Sequence, residues 1–222
     1  MLFFFYIPIK KYLKGVLAMT NQKDVENHSF ELIMNQNTKI LMLGTFPTAK
    51  KNRGMEFYYS NYSRNDMWRI LGNIFNRNFV VSAEAKFDEE KIRSFLNEVG
   101  IGMYDVVKEA SRKKEGASVD SKVNFLQATD IKTILKQNPN CTNLCTVGVR
   151  AAKLLCKQFK NYGAQVPKLG EGETFNFEGK NITIYCMPST SKANTSPLFE
   201  KIEKYKAMFK KIERFCQINC DI

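Results

Sequence analysis

Short apolar runs alternate with amphipathic segments along most of this chain, and that alternation limits the fold more than any other feature of the sequence. Residues 39–45 (KILMLGT) and 143–148 (NLCTVG) have the length and the turn-forming ends of buried strands. Residues 101–107 and 182–187 are apolar runs of the same kind. Strands that are separated by helices pair in parallel and are covered on both faces. The sequence therefore predicts an α/β fold, a three-layer α/β/α sandwich with a short, mainly four-stranded parallel sheet.

The segments between these runs have the spacing of helices that pack on a sheet. From residue 67 onward apolar residues recur every three or four positions, and the preceding SRND (63–66) has the form of a capping box in which Ser63 supplies the cap. Four further helices are predicted. One begins at Asp88 and ends at Gly100, two cover residues 129–137 and 149–159, and the last begins at Pro197. The remaining predictions are a hairpin over residues 174–187 and a polar loop over residues 111–122.

The chain has 222 residues, enough for one domain with a full core. We predict a poorly structured N-terminal extension over residues 1–25 and a single domain over residues 26–222. The apolar residues 1–9 lack the preceding basic region of a signal peptide, and Met19 offers a later start. No apolar run in the sequence is long enough to span a bilayer. We expect a monomer inside the cell, in the cytoplasm and nucleoid or in a nucleus, with no membrane partner.

The charge is strongly positive, with 34 Lys and Arg against 22 Asp and Glu and a net charge of +12. A surplus of this size indicates an anionic partner such as nucleic acid or an acidic membrane face, although a generally basic proteome gives the same balance. The basic cluster Arg112, Lys113 and Lys114 is a candidate for contacts with phosphate, and a solvated surface loop is the simpler interpretation of it.

The cysteines and the single histidine argue against two kinds of chemistry. Two cysteine pairs have a C-x-x-x-C spacing, but the C-x-x-C spacing of structural zinc is absent. Three cysteines lie in apolar runs, so we predict reduced thiols, no metal and no cofactor. The six are Cys141, Cys145, Cys156, Cys186, Cys216 and Cys220. The one histidine, His28, lies in a polar stretch before the first strand. A Ser-His-Asp or Cys-His arrangement would need it at the far end of the sheet, so we do not expect nucleophilic acyl transfer.

The segments that leave the carboxyl ends of the predicted strands should converge, because ligands of such sheets bind there. These segments and the loop between the first strand and helix are rich in hydroxyl, amide and aromatic side chains, which hydrogen-bond phosphate, hold water and stack on bases. This composition suits a nucleotide that has been flipped out of a nucleic acid.

Four motifs occur in order: LGTFP (43–47), FYY followed by SRNDMW (57–68), GIGMYDV (100–106) and MPSTSKAN (187–194). Together they resemble the uracil-DNA glycosylase superfamily, and the branch they are most similar to is the hypoxanthine-DNA glycosylases. The resemblance spans roughly residues 39–209. It implies an α/β/α sandwich that flips a base out of DNA and hydrolyses its N-glycosidic bond without a metal.

The resemblance also implies roles for individual residues. In better-known branches an Asp or Asn orients the attacking water at the position of Phe46, and the hypoxanthine branch instead uses an Asn that matches Asn65, the implied catalytic residue. The implied base-binding residues are Phe46, Tyr58, Tyr59 and Asp105. The implied DNA-binding residues are Gly44, Thr45, Pro47, Thr48, Arg64, Ser189, Thr190, Ser191 and Lys192.

Simpler interpretations of these residues remain open. Asn65 has the residue type of a helix start, and the two tyrosines are equally suited to packing a loop. Asp105 is compatible with a structural role, and the hydroxyl run at residues 189–191 with a turn. For the whole chain, the alternative is a non-catalytic nucleic-acid or nucleotide-binding module that kept the fold, since Phe46 cannot orient water.

Overall fold

The computed structural model describes residues 25–112, 123–212 and 215. Several predictions concern residues outside these ranges, namely most of the N-terminal extension, the alternative start at Met19, the polar loop over residues 113–122 with Lys113 and Lys114, and the thiols of Cys216 and Cys220.

A five-stranded sheet forms the centre of the described structure. Its strands, in chain order, are β2 (Ile40–Gly44), β5 (Ile101–Asp105), β8 (Asn143–Val147), β9 (Gly172–Phe177) and β10 (Lys180–Met187). Their spatial order is β5-β2-β8-β10-β9. The first four in this order pair in parallel, whereas β9 pairs antiparallel with β10 across the predicted hairpin. The α/β class and the mostly parallel sheet are confirmed, and the hairpin adds a fifth, antiparallel strand at one edge.

Helices cover both faces of this sheet. The helices in the described ranges are α1 (Met67–Ile74), α2 (Glu89–Val99), α3 (Ile131–Gln137), α4 (Val149–Gln158) and α5 (Leu198–Lys210). Side chains of β2 alternate between two buried clusters, with Ile40 and Met42 packed among residues of α1, α2 and α5, and Leu41 and Leu43 among residues of α3 and α4. This alternation follows from the two-residue period of a strand. None of these helices has the length and apolarity to cross a membrane.

Both predicted ends of α2 are right, whereas α3 begins at Ile131 instead of residue 129 and α5 begins at Leu198 instead of Pro197. Asp88 caps α2 by accepting a hydrogen bond from the Lys91 N–H, and Gly100 ends that helix in the left-handed conformation (φ 79°). At α1, by contrast, the Ser63 hydroxyl donates to Asn61 Oδ1 and does not cap the helix. The Met67 N–H donates instead to Asn65 Oδ1, at 3.0 Å. Asn65, not Ser63, therefore supplies the side-chain oxygen that satisfies this helix start.

A second, antiparallel sheet was missed by sequence reasoning. It consists of β1 (Val25–Asn27), β6 (Val107–Arg112) and β7 (Val123–Ala128), in the order β1-β6-β7. The strand predicted over residues 101–107 is confirmed as β5 up to Asp105, whereas Val107 already begins β6 and pairs with β7 in this second sheet. Polar residues make up much of β6, so the sequence did not indicate a strand there. A short pairing of β3 (Val80–Val81) with β4 (Lys86–Phe87) completes the strands.

Candidate active site

A small pocket lies where β2 and β5 end, with a cavity volume of about 40 Å³. Its lining includes six residues that the sequence singled out: Phe46, Pro47, Thr48, Tyr58, Tyr59 and Asp105. Phe57, the first residue of the FYY motif, also lines the pocket, whereas sequence reasoning assigned no role to the remaining lining residues, Phe30, Arg53 and Ser60. All four predicted base-binding residues thus surround one cavity.

Asp105 ends β5 directly opposite Gly44, the last residue of β2, and is only 4% exposed. A Cβ added to Gly44 would overlap the Oδ1 atom of Asp105. The absence of a side chain at Gly44 therefore makes room for the Asp105 carboxylate, a role distinct from the DNA contact that the motif implies.

Tyr59 presents a hydroxyl to the same space. The hydroxyl would lie 3.0 Å from the Cβ that Gly44 lacks, and among the described residues it has no hydrogen-bond partner although it is buried. Burial raises the pKa of Tyr59 well above its usual value, and the charge of Asp105 raises it further. The hydroxyl consequently keeps its proton and is available as a donor. The backbone of Tyr59 is left-handed (φ 51°), a conformation that residues other than glycine rarely adopt.

Tyr58 and Phe46 contribute different surfaces to the pocket. Tyr58 is 2% exposed, and its hydroxyl donates to the Glu31 carbonyl at 2.8 Å. The Trp68 indole N–H donates to the Tyr58 carbonyl at 3.1 Å, so Tyr58 is a fixed wall of the pocket. Phe46 is partly exposed. Of these two rings, that of Phe46 is the more accessible for stacking on a base.

His28 reaches this site, contrary to the expectation from the sequence. Its Nε2 atom lies 2.9 Å from Oδ2 of Asp105, and its side chain is 2% exposed. The His28 N–H donates to the Lys108 carbonyl, which ties this segment to β6 beside Asp105. The sequence carried no local signal for this contact, because it depends on the unpredicted pairing of β1 with β6.

Arg53, also missed by the sequence analysis, holds the loop after β2 in place. Its Nε atom donates to the Thr48 carbonyl at 2.8 Å, and its guanidinium also donates to the Ser29 hydroxyl at 2.9 Å. The same group lies 4.6 Å from the centre of the Phe30 ring. Arg53 therefore connects the predicted DNA-binding loop with the segment that carries His28.

Arg112, a predicted phosphate ligand, is engaged within the protein. Its Nε atom donates to Glu26 at 2.7 Å, its guanidinium donates to the Pro47 carbonyl at 2.9 Å, and its side chain is only 5% exposed. The prediction that Arg112 contributes to phosphate binding is wrong, because the side chain supports the Pro47 loop from inside.

The implied catalytic residue lies beside the implied phosphate loop. Asn65 and Ser191 form an isolated antiparallel bridge, the Asp66 N–H donates to the Thr190 carbonyl, and the Lys192 N–H donates to the Arg64 carbonyl. The structure thus joins two segments that the sequence singled out separately. Asn65 is not part of the lining of the pocket beside Asp105.

The hydrogen bonds at the start of α1 limit what its backbone can do. The N–H groups of Asn65, Asp66 and Met67 donate to Asn61, Thr190 and Asn65 respectively. Free backbone N–H groups at a helix start can stabilise negative charge on a departing base. These three groups are not available for that role, because each already has an acceptor within the protein.

A buried lysine supports the hydroxyl loop from below. Lys201 in α5 is 2% exposed, and its ammonium donates to the carbonyls of Ser191 at 3.4 Å and Asn194 at 3.2 Å. It also lies 3.9 Å from Asp66 Oδ2. Burial lowers the pKa of Lys201, and the Asp66 charge opposes that shift. Lys201 therefore links the segment that follows Asn65 to the loop at residues 189–194.

The hydroxyls of the loop itself have unequal surroundings. The Ser189 hydroxyl accepts from the Ser191 N–H at 3.3 Å, which is a contact that shapes a turn. The Thr190 hydroxyl is buried and has no partner within the described residues. Lys192 extends outward, with 48% of its side chain exposed. Its exposure leaves Lys192 accessible to phosphate from solvent.

The cysteines in the described ranges lie in the protein interior. Cys141, Cys145, Cys156 and Cys186 are free and buried. Burial raises the pKa of Cys141 to about 12 and that of Cys156 to about 11. Among the described residues, no group of three or more His, Cys, Asp or Glu side chains is arranged to hold a metal ion.

The sequence of the chain is similar to those of known DNA glycosylases. The model of the family described as the uracil DNA glycosylase superfamily matches residues 33–214. A protein from Methanosarcina acetivorans named hypoxanthine DNA glycosylase is 31% identical over 181 residues, which are 82% of this chain and 96% of that protein. A protein of the same name from Methanosarcina barkeri is 26% identical over 116 residues, 52% of this chain and 67% of its own length.

A solved structure shows the same fold. The solution NMR structure of a protein from Methanosarcina acetivorans, described as a candidate uracil DNA glycosylase, superposes with a TM-score of 0.60. The match covers 86% of this chain and 99% of that protein at 23% identity, a level at which the likeness concerns the fold.

Proposed function

Because the chain belongs to the uracil DNA glycosylase superfamily, we propose that it is a monofunctional DNA glycosylase that flips a deaminated base out of DNA and hydrolyses its N-glycosidic bond. The proposed substrates are hypoxanthine, uracil or both, and the proposed context is base excision repair inside the cell, by a monomer without a cofactor.

The observation that carries the proposal is the pairing of one acceptor with one donor in the pocket. Asp105, as a carboxylate, only accepts hydrogen bonds, whereas the protonated hydroxyl of Tyr59 has no partner among the described residues. A lactam edge, with an N–H next to a carbonyl, satisfies both groups. Hypoxanthine and uracil have such an edge, as do guanine and thymine, whereas adenine and cytosine present an unprotonated ring nitrogen there, which Asp105 would repel. The pair of groups therefore distinguishes each deaminated base from the parent base, adenine or cytosine, from which it arises.

The same donor suits the chemistry of bond cleavage. As the glycosidic bond breaks, negative charge grows on the departing base and spreads onto its carbonyl oxygen. A neutral hydroxyl fixed in a buried pocket stabilises such charge without first having to reorient. We propose this role for Tyr59, because the first N–H groups around the start of α1 are already bonded within the protein.

Water delivery is proposed for Asn65. Phe46 has no polar group, and Asn65 matches the Asn of the family motif. Its Oδ1 accepts from the Met67 N–H, but a carbonyl oxygen has a second lone pair and the amide nitrogen has two protons. An amide held beside the loop at residues 189–192 can orient water without acting as a strong base. The attack needs no covalent side-chain intermediate.

The test is an excision panel on matched oligonucleotides, single- and double-stranded, that carry hypoxanthine, uracil, xanthine, adenine or cytosine at one position. Excision followed by alkali should cut the strands with a lactam base and leave adenine and cytosine strands intact. Uncut strands throughout, with DNA binding retained, would identify the alternative, a binding module that kept the fold. Cleavage of adenine or cytosine strands at comparable rates would contradict the proposed recognition.

A further inference from the structure

We infer that His28 is a positioning residue for Asp105: it holds the Oδ2 atom of the carboxylate so that Oδ1 is presented to the N–H of the flipped base. This inference rests on the proposed function and deepens it, because it adds a determinant of base selectivity. His28 acts through Asp105 and is not itself part of the lining of the pocket.

The contact between the two side chains is short and buried. Nε2 of His28 lies 2.9 Å from Oδ2 of Asp105, and the exposed fractions of the two side chains are 2% and 6%. A carboxylate oxygen only accepts, so the shared proton belongs to Nε2. Hydrogen bonds to ionised groups in buried surroundings are stronger and more directional than those at a surface.

The imidazole is itself fixed from several directions. Its Nδ1 atom accepts from the Phe30 N–H at 3.3 Å and lies 2.9 Å from the carbonyl oxygen of the same residue. The rings of Tyr104 and Tyr58 lie with their centres 4.4 Å and 6.1 Å from that of His28. His28 is thus fixed at its backbone, at Nδ1 and by the neighbouring rings. A hydrogen bond from its Nε2 atom therefore also fixes the position of the Asp105 carboxylate.

Asp105 needs such a partner. The Thr129 hydroxyl donates to the backbone carbonyl of Asp105, not to its carboxylate. Within the described residues, no other side chain has a recorded hydrogen bond to that carboxylate. With Oδ2 held by His28, the plane of the carboxylate is set, and Oδ1 faces the space that Gly44 leaves free beside the Tyr59 hydroxyl.

His28 lies outside the part of the chain that the family model matches. The family model begins to match at residue 33, so His28 lies upstream of the residues shared with that family. The base-reading carboxylate is therefore supported by a segment that the family match does not include.

Two amide variants separate the proposed role from general packing. His28→Gln places an amide nitrogen near the position of Nε2, within reach of Asp105, whereas His28→Asn reaches only the position of Nδ1, towards the Phe30 carbonyl. Single-turnover excision of hypoxanthine should fall about ten- to a hundredfold in His28→Asn, the usual cost of a lost hydrogen bond to a buried charge. His28→Gln should recover most of that loss. Equal rates in the two variants, both folded by thermal melting, would overturn the inference.

A double-mutant cycle adds a readout that a structural role would not move. Asp105→Asn removes the carboxylate, so adding His28→Asn to it should cost much less than His28→Asn costs in the parent. Additive losses would show that His28 acts independently of Asp105.

The third measurement uses the unaltered protein. His28 is the only histidine in the chain, so ¹⁵N-labelled histidine gives one pair of ring nitrogen signals. Titration with an oligonucleotide that contains hypoxanthine should shift the Nε2 signal, whereas an undamaged duplex of the same sequence should not. The same signal in both complexes would overturn the inference, while failure of the proposed function would appear separately as a parent protein that excises no base.

Discussion

Asn65 and Ser191 pair backbone to backbone in an isolated antiparallel bridge. The residue proposed to hold the attacking water and the loop proposed to grip phosphate are thereby fixed relative to each other. Lys201 reinforces this link from beneath, since its ammonium contacts the Ser191 carbonyl and lies near Asp66. Movement of the loop on DNA should therefore move the water-binding amide with it.

Asn65→Ala should slow the chemical step about a hundredfold or more, because a preorganised polar contact is lost. DNA binding should change little, since phosphate contacts dominate affinity. The variant also removes the oxygen that accepts from the Met67 N–H, which should cost about 1 kcal/mol of the free energy of unfolding. Single-turnover excision of hypoxanthine and uracil, with a gel-shift titration, measures both effects.

The matched control for this prediction is Asn65→Ser. A serine hydroxyl can still accept from the Met67 N–H, so the lost stability should largely return while excision stays slow. Excision at the parent rate in a folded Asn65→Ala protein would mean that another group, such as Thr45 or Thr48, holds the water.

Tyr59→Phe should lower activity and leave stability equal or higher. The hydroxyl has no partner among the described residues, so its removal relieves a desolvation cost of about 1 kcal/mol. Loss of the proposed donor to the base should slow excision about ten- to a hundredfold. Tyr58→Phe is the control, because its hydroxyl is bonded to Glu31, so stability should fall and excision change little. A Tyr59→Phe protein that melts lower and excises normally would make the hydroxyl structural.

DNA affinity should fall steeply as salt rises, because lysine and arginine contacts to phosphate release counterions. Lys192→Ala should reduce the slope of log affinity against log salt by about one. Arg112→Ala should leave that slope unchanged and lower the melting temperature, since Arg112 is bonded to Glu26 and the Pro47 carbonyl. Fluorescence anisotropy at several salt concentrations gives the slopes. Identical slopes for Lys192→Ala and the parent would exclude Lys192 from the phosphate contacts.

Four thiols should resist alkylation under native conditions. Because burial raises their pKa values, to about 12 for Cys141 and about 11 for Cys156, the thiolate fraction at pH 8 is small. Peptide mapping after iodoacetamide treatment at pH 8 should find Cys141, Cys145, Cys156 and Cys186 unmodified until denaturant is added, with excision retained. Rapid native modification of any of the four would contradict their buried surroundings.

The core strands and helix ends could be predicted because their signals are local. Apolar runs such as Ile40–Gly44 predict a buried strand wherever they lie, and Asp88 and Gly100 mark the ends of one helix by their own chemistry. The start of α1 was assigned wrongly because Ser63, Asn65 and Asp66 are all good capping residue types, and only the path of the chain decides which side chain bonds the first turn.

The rest of the candidate site depends on contacts between distant parts of the chain. His28 lies before β2 and contacts Asp105, and Arg53 lies after β2 and bonds Ser29 of the earlier segment. Neither residue lies in a motif. Arg112 looked like a surface charge in a basic run, yet β6 turns it inward onto Glu26. In each case the residue type was visible in the sequence and its environment was not.

The contact of His28 with Asp105 also makes the candidate pocket dependent on the segment before β2. Residues that match the family begin at Ile33, whereas His28 and three further partners of the site lie before that position. Glu26 bonds Arg112 under the Pro47 loop, Ser29 bonds Arg53, and the Glu31 carbonyl accepts from the Tyr58 hydroxyl. Loss or exchange of this short segment should therefore alter the pocket wall and the loop after β2 as well as the proposed base-reading carboxylate.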